Sequence, residues 1–462
     1  MNKKTIWILI IIAVVGLFVW LFYSINTSLK TGAGATDSLK SLFPYGVSDY
    51  TTSSTASSTT STPETVSTPS ESGSVSYDPL IQLSNRSAVG MTVVTPSYLP
   101  PVVISTSTKY SSTSTTNSSV YQSTIFTKTK FPVVRFAERG TGYIYDVDAR
   151  AQNETKQTGT TIVRVYESYF GDNGNSVIFR YLKSDNTTIA TFLGKIIPPT
   201  SSDSGQFATI KGDFLPENIS NLVMSPDGKR FAYIIPTSSG VAGIALNSDG
   251  TNKYQIFSNS FDEWLLDWKG GGLTATTKAA STVPGYVYLI QTTGVFQKIL
   301  GGIDGMTTNM SPDGKTLLYN SADKNKINLF VRHQNGDSTK LDIATLPEKC
   351  VWSRDSIILY CAVPTYLANS ATYHDEWYQG TAHFSDEIWK VDTGLGTSVK
   401  INDLESKGID AIDLRLDPNE NFLFFRNNND GTPWSLDLKK VSFTQVVPTL
   451  SPFPTVGGGT NQ

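Results

Sequence analysis

Two short stretches decide how this chain folds: "MSPDGKRFAY" from Met224 to Tyr233, and "MSPDGKTLLY" from Met310 to Tyr319. Each sets an Asp-Gly pair, Asp227-Gly228 and Asp313-Gly314, between apolar runs. Asp-Gly accepts positive φ at a turn, so each stretch predicts a tight two-residue β-hairpin. The two begin 86 residues apart. That is two units of about 43 residues, the length of a four-stranded propeller blade. One further blade is therefore expected between them, and "WLLDWKGGGLTATTKA" from Trp264 supplies it, with a glycine-rich turn near Gly270.

Working outward, "VWSRDSIILYC" from Val351 lies about one unit further on. "LRLDPNENFLFF" from Leu414 follows after a longer gap, and "ESYFGDNGNSVIFRY" from Glu167 precedes the first hairpin. Third and fourth strands follow the hairpins, as in "GIALNSDG" then "KYQIF" and "EIWKVDTG" then "SVKIN". An earliest unit comes from "VVRFAERGTGYIYDVDARAQNETKQTG". The expectation is an all-β chain, a seven-bladed β-propeller over residues 79–445, with six or eight blades as alternatives. Blade 7 has three strands of its own, ending in "PWSLDL" at Pro433–Leu438. The spare strand "PLIQLS" (Pro79–Ser84) is expected to complete it, because joining first and last blades removes the open sheet edge.

The flanks read differently. Ile6 to Tyr23 is an unbroken apolar run of 18 residues, preceded by Lys3 and Lys4. It is long enough for a transmembrane helix, and the lysines predict a cytoplasmic tail (1–5) with the remainder outside. Trp20 and Tyr23 suit the outer interface. The rival reading is a cleaved signal peptide, but the run exceeds an ordinary h-region, and the Ala33-Gly34-Ala35 site lies well past its end. Residues 24–78 form a Ser/Thr-rich linker with little to bury, expected to be disordered, and a loose tail is expected over 446–462.

The Pro-Asp-Gly turn words resemble the repeats of TolB-like, WD40-like propellers (the PD40 type) over roughly residues 79–445. The resemblance implies the fold and is nearly silent on activity. TolB carries an additional partner-binding domain, which this chain replaces with its anchor and linker. Longer words, "RFAERGTGYIYDVD", "TKAASTVPGYVY", "LPEKCVWS" and "DEWYQGTAHFSDEIWKVD", resemble membrane-anchored propellers of candidate-phyla bacteria. That resemblance implies a location at the cell envelope.

Composition narrows the function. Charged residues are 17% of the chain and the net charge is −3, with no Lys/Arg run, so nucleic acid is not an expected partner. No Gly-x-Ser-x-Gly elbow and no Gly-x-x-x-x-Gly-Lys-Ser/Thr loop occurs. Asp172–Gly174 lacks the acidic pattern of a calcium loop. The pairs Asp262-Glu263 and Asp386-Glu387 sit on strands, where neighbours point to opposite faces, so neither is a ready acid/base dyad. No cofactor or metal is called for.

Cys350 and Cys361 flank the "VWSRDSIILY" hairpin. If its turn centres on Asp355 and Ser356, the two pair across the strands, and outside the membrane they oxidise to a disulfide. The alternative is a pair of reduced, buried small residues.

Two insertions interrupt the blades. Residues 96–130, rich in Ser, Thr and Tyr, separate the first two strands of blade 1. A partner contact through Tyr110 and Tyr121 competes there with a plain surface loop. Residues 364–387 separate strands two and three of blade 6, on the face where inner strands enter the channel. This second insertion supplies the candidate binding residues His374, Asp375, Glu376, Trp377, Tyr378, His383 and Asp386. On one face they would suit a saccharide or a metal, although the spacing of His374 and His383 matches no metal signature. The competing reading is that the aromatics, Phe384 among them, plug the channel or clamp the loop. Two functions follow. The first is a non-catalytic scaffold, binding an envelope protein or cell-wall polymer. The alternative is a saccharide or small-molecule receptor, or an enzyme, with its site at the channel mouth.

Overall fold

The computed structural model describes residues 78–94, 131–199, 207–323, 326–367 and 373–441, with the side chains of residues 323, 373 and 374 not described. The apolar run Ile6–Tyr23, nearly all of the linker, the insertion at 96–130 and the tail 446–462 lie outside these residues. Among the described residues no helix is long and apolar enough to cross a membrane.

Seven four-stranded antiparallel sheets follow one another along the chain. Blade 1 is β2 (Ala88–Val94), β3 (Val133–Glu138), β4 (Ile144–Asp148) and β5 (Glu154–Lys156). Blade 2 is β6 (Val165–Gly171) to β9 (Thr209–Phe214), and blade 3 is β10 (Asn221–Met224) to β13 (Tyr254–Asn259). Blade 4 comprises β14 (Trp264–Lys269), β15 (Gly272–Thr277), β16 (Pro284–Ile290) and β17 (Phe296–Asp304). Blade 5 runs from β18 (Thr308–Met310) through β19 (Leu317–Asp323) and β20 (Lys326–Arg332) to β21 (Ser338–Lys340). Blade 6 is β22 (Cys350–Trp352), β23 (Ile358–Pro364), β24 (Asp386–Asp392) and β25 (Thr397–Asp403). Blade 7 is β26 (Ala411–Leu416), β27 (Phe422–Asn427), β28 (Pro433–Asp437) and, from the other end of the propeller, β1 (Leu80–Gln82). The register Leu80↔Leu436, Ile81↔Ser435, Gln82↔Trp434 closes the ring as the sequence predicts.

The core is a set of layers between blades. Each junction has its own apolar cluster, such as Phe136 and Met91 against Phe422 and Phe424 between blades 1 and 7. Between blades 3 and 4, Ala232 and Ile234 meet Trp264 and Leu273. The second strand of each blade is covered on both faces, so Phe422–Phe425 is buried at every position. This is why "FLFF" and "RFAYII" read as continuous apolar runs instead of alternating ones.

The hairpin turn differs from expectation. In blade 3, Met224 pairs with Phe231 and the Ser225 N–H donates to the Arg230 carbonyl, leaving a four-residue loop, Pro226–Lys229. Within it the Gly228 N–H donates to the Ser225 carbonyl (2.9 Å), and of the Asp-Gly pair only Gly228 has positive φ, at +67°. A two-residue type I′ turn needs positive φ at both central positions. The physical reason lies in the residues before Asp-Gly. Pro226 presets the first corner of a type I turn. The Ser225 hydroxyl donates to Asp227 Oδ1 (2.6 Å) and accepts from the Arg230 N–H (2.9 Å). Ser311 and Ser353 repeat this arrangement in blades 5 and 6.

These turns also join blades. The Asp172 N–H donates to the Gly228 carbonyl (2.8 Å), and the Gly270 N–H to the Pro312 carbonyl (3.0 Å). Nearer the channel, polar side chains meet the backbone of the next inner strand. Asn221 Oδ1 accepts from the Leu266 N–H (2.9 Å), Asp267 Oδ2 from the Met310 N–H (3.2 Å), and Asn309 Nδ2 donates to the Cys350 carbonyl (2.8 Å). An inner strand has one edge facing the channel, and these bonds satisfy backbone groups there that no further strand can reach.

Candidate functional site

Blade 6 carries the site. Its inner strand β22 is only three residues long and is pinned by the Cys350–Cys361 disulfide, formed between directly opposed residues with Cα atoms 4.1 Å apart. A short 3-10 turn, Pro347–Lys349, delivers the chain into β22, and Pro347 suits its first position because the missing N–H would be unpaired there. That turn places Lys349 at the entrance end of the junction between blades 6 and 7.

Lys349, Asp386 at the start of β24 and Asp410 just before β26 have no exposed side-chain surface. Lys349 Nζ donates to Asp386 Oδ2 (2.9 Å), to Asp410 Oδ1 and to the Ala411 carbonyl (3.0 Å), which occupies all three of its protons. Asp386 Oδ2 also accepts from the Ala411 N–H (2.6 Å). Asp410 Oδ2 accepts from Trp377 Nε1 (2.9 Å), Asn428 Nδ2 (3.1 Å) and the Phe384 N–H (3.3 Å). Asp386 Oδ1 is buried and has no partner.

The two carboxylates are driven apart. Burial pushes the Asp386 carboxyl up to about 6, with Asp410 adding to the rise and Lys349 opposing it. Burial acts on Asp410 in the same sense, but Lys349, Asn428 and Trp377 outweigh it and hold that carboxyl below its ordinary range. Glu348, beside Lys349, is pushed up by burial while accepting from the Thr307 hydroxyl (2.8 Å).

The blade 6 insertion closes over this cluster. Its described parts are residues 364–367, helix α1 (Tyr373–Tyr378) and the return to β24. Trp377 stacks on Phe384, with ring centroids 5.8 Å apart, and Lys349 Nζ lies 5.3 Å and 5.1 Å from the two rings. Phe384 packs on Ile327 of blade 5 and Leu346, with Trp377 and Leu367 alongside. Asp375 points away from this cluster, accepting from the Ser281 N–H (2.9 Å) and hydroxyl (2.6 Å) in blade 4.

The residues singled out in the insertion therefore do not converge on one open surface. Trp377 and Asp386 join the buried cluster. Asp375 anchors to blade 4, the backbone carbonyl of Glu376 accepts from the Thr381 N–H (2.9 Å), and His383 is exposed. Tyr378 is 42% exposed, its ring edge-on to Trp377. His374 lies on α1, and its side chain is outside the described set. Asp386 and Glu387 do point apart: Glu387 accepts from Lys400 (2.8 Å) and Trp389 Nε1 (3.0 Å). Among the described residues no three His, Cys, Asp or Glu side chains converge as metal ligands.

The residues that organise the site, Lys349, Asp410 and Asn428, were not legible in the chain. Lys349 precedes the inner strand of blade 6 and Asp410 that of blade 7. A charged residue where the blade rhythm demands a buried position is the one local signal, and it does not say which partner neutralises the charge.

No family model and no curated protein matches the chain, so the likeness of its longer words to anchored propellers of candidate-phyla bacteria finds no support there. Solved structures do resemble it in fold. TolB from Acinetobacter baumannii is 10% identical, with 66% of this chain and 62% of that chain covered at a TM-score of 0.34. Kuenenia stuttgartiensis hydrazine synthase is 14% identical over 66% of this chain and 92% of that chain (TM-score 0.42). The tricorn protease is 12% identical over 68% of this chain (TM-score 0.33), and this chain spans 42% of its length. The propeller architecture rests on the seven four-stranded sheets of this chain itself, and likeness at these identities carries no activity.

Proposed function

We propose that this protein is a non-catalytic interaction scaffold: a seven-bladed ring held outside the cytoplasmic membrane by its N-terminal apolar segment, binding an envelope protein or wall polymer. One observation carries the reading. Lys349, Asp386 and Asp410 at the channel entrance are sealed and engaged with one another, while the entrance rim exposes apolar and aromatic side chains. Tyr366 is 71% exposed, Val283 53%, and Phe261 and Tyr378 42% each. A buried lysine with all its protons bonded offers a substrate no nucleophile or base. Exposed aromatics on a rigid ring suit recognition instead.

In-cell cross-linking of the intact tagged protein, read by mass spectrometry, tests this. Repeated links from entrance-face loops to one envelope protein are the expected result. Abundant links within the ring and none to a protein would overturn the protein-scaffold reading in favour of a saccharide or small-molecule receptor. Cell fractionation tests the anchor. The full-length chain is expected in the membrane fraction, and a soluble form beginning after Ala35 would refute it.

A further inference from the structure

Two residues of α1 reach opposite sides of the ring. Asp375 is bonded to Ser281 in the loop between β15 and β16 of blade 4, and Trp377 to Asp410 at the entry to blade 7. Both contacts are on the entrance face, and blades 4 and 7 stand three positions apart in a ring of seven. Positions two apart on a helix project about 200° from one another. A single turn that touches both rims in this way lies across the channel mouth.

Its inner fastening is electrically incomplete. With both carboxylates ionised, Lys349, Asp386 and Asp410 carry a net charge of −1 in a site without solvent, and Asp386 Oδ1 has no donor. An ionised oxygen left that way is costly. The remaining groups around Asp386 do not relieve it. Glu348 is bonded to Thr307, Asp403 on β25 accepts from the Glu405 N–H, and Glu387 is on the opposite face of β24 with Lys400. β23, the other strand beside Asp386, faces it with Pro364. Two things complete the site: a proton on Asp386, or water admitted when the covering rings of Trp377 and Phe384 lift.

We propose that the segment from α1 to Phe384 is a lid on the channel mouth, and that the proton on Asp386 controls its closure. Protonated, the cluster is neutral and the lid stays down. Ionised, the cluster gains by hydration, so opening is favoured. This inference is independent of what the ring binds. With the closed-state carboxyl near 6 and an ordinary value once hydrated, the opening constant rises about tenfold from pH 5 to pH 8.

Hydrogen exchange on the full chain, corrected for intrinsic rates, measures this at the Gln379, Gly380 and Thr381 amides, each bonded back to α1. Their protection is expected to fall about tenfold between pH 5 and pH 8, while the Gly228 turn amide stays constant. Asp386→Asn is expected to abolish the change. His374 and His383 lie in the same segment, so the double variant His374→Gln/His383→Gln must retain it. Loss of the change in that variant, or its persistence in Asp386→Asn, overturns the proposal. If Asp386→Asn does not fold, Trp377→Phe decides with the histidine variant. It is expected to lower protection at both pH values, and unchanged protection refutes the lid.

Discussion

Replacing Lys349 with methionine tests the buried cluster most directly. Methionine keeps most of the stem and removes the ammonium. Three hydrogen bonds go with it, and Asp386 and Asp410 are left facing one another with no cation and no exposed surface. Removing one partner of a buried ion pair costs about 3–5 kcal/mol, because the remaining charge is uncompensated. For a ring of roughly 300 ordered residues, unfolding entropy near 0.6 kcal/mol/K converts 4 kcal/mol to a Tm drop of about 6 °C. The loss depends on pH with a definite sign. In the wild type Asp386 is raised, so its contribution is present at low pH and lost as pH rises through about 6. Asp410 is lowered, so its contribution is present above the ordinary carboxylate range and lost on acidification. Without Lys349 both carboxyls rise. The variant then recovers as pH falls and the deficit is largest at pH 8. Thermal melts of both proteins from pH 4.5 to 8 measure this. A deficit below about 1 kcal/mol at pH 8, or one that grows on acidification, would refute the account of a sealed, charge-balanced cluster.

Three further outcomes follow from the fold. Reducing the disulfide, or Cys350→Ser with Cys361→Ser, is expected to cost about 3 kcal/mol from the eleven-residue separation, read as a Tm difference between oxidised and reduced protein. Gly314→Ala is expected to destabilise by more than about 1 kcal/mol in a denaturation assay, since φ is +73° and a Cβ would come within 2.3 Å of the Gly271 Cα. Deleting residues 79–84 removes β1 and leaves β28 as an open edge, so light scattering in detergent is expected to find larger assemblies for the deletion than for the intact chain. A monomeric, equally stable deletion would mean that ring closure rests elsewhere.

The blade rhythm is legible in the chain. Asp-Gly words recur at fixed spacing, each sits between runs that become strands buried on both faces, and a spare strand had one vacant edge to fill. The Cys350–Cys361 pairing follows from the same arithmetic, because hairpin register is local. The turn type was misread for a local reason as well: Asp-Gly was weighed without Pro226 and Ser225, whose ring and hydroxyl select a four-residue loop. Tertiary structure alone decided the site. Lys349 and Asp410 are 61 residues apart and meet because successive inner strands converge at the entrance face. Asp410 and Ser281 both contact one short segment only because that segment lies across the channel mouth. Periodicity reports which face of an element is buried. It holds no information about which charge from another blade will neutralise a buried one, since that depends on closing the ring.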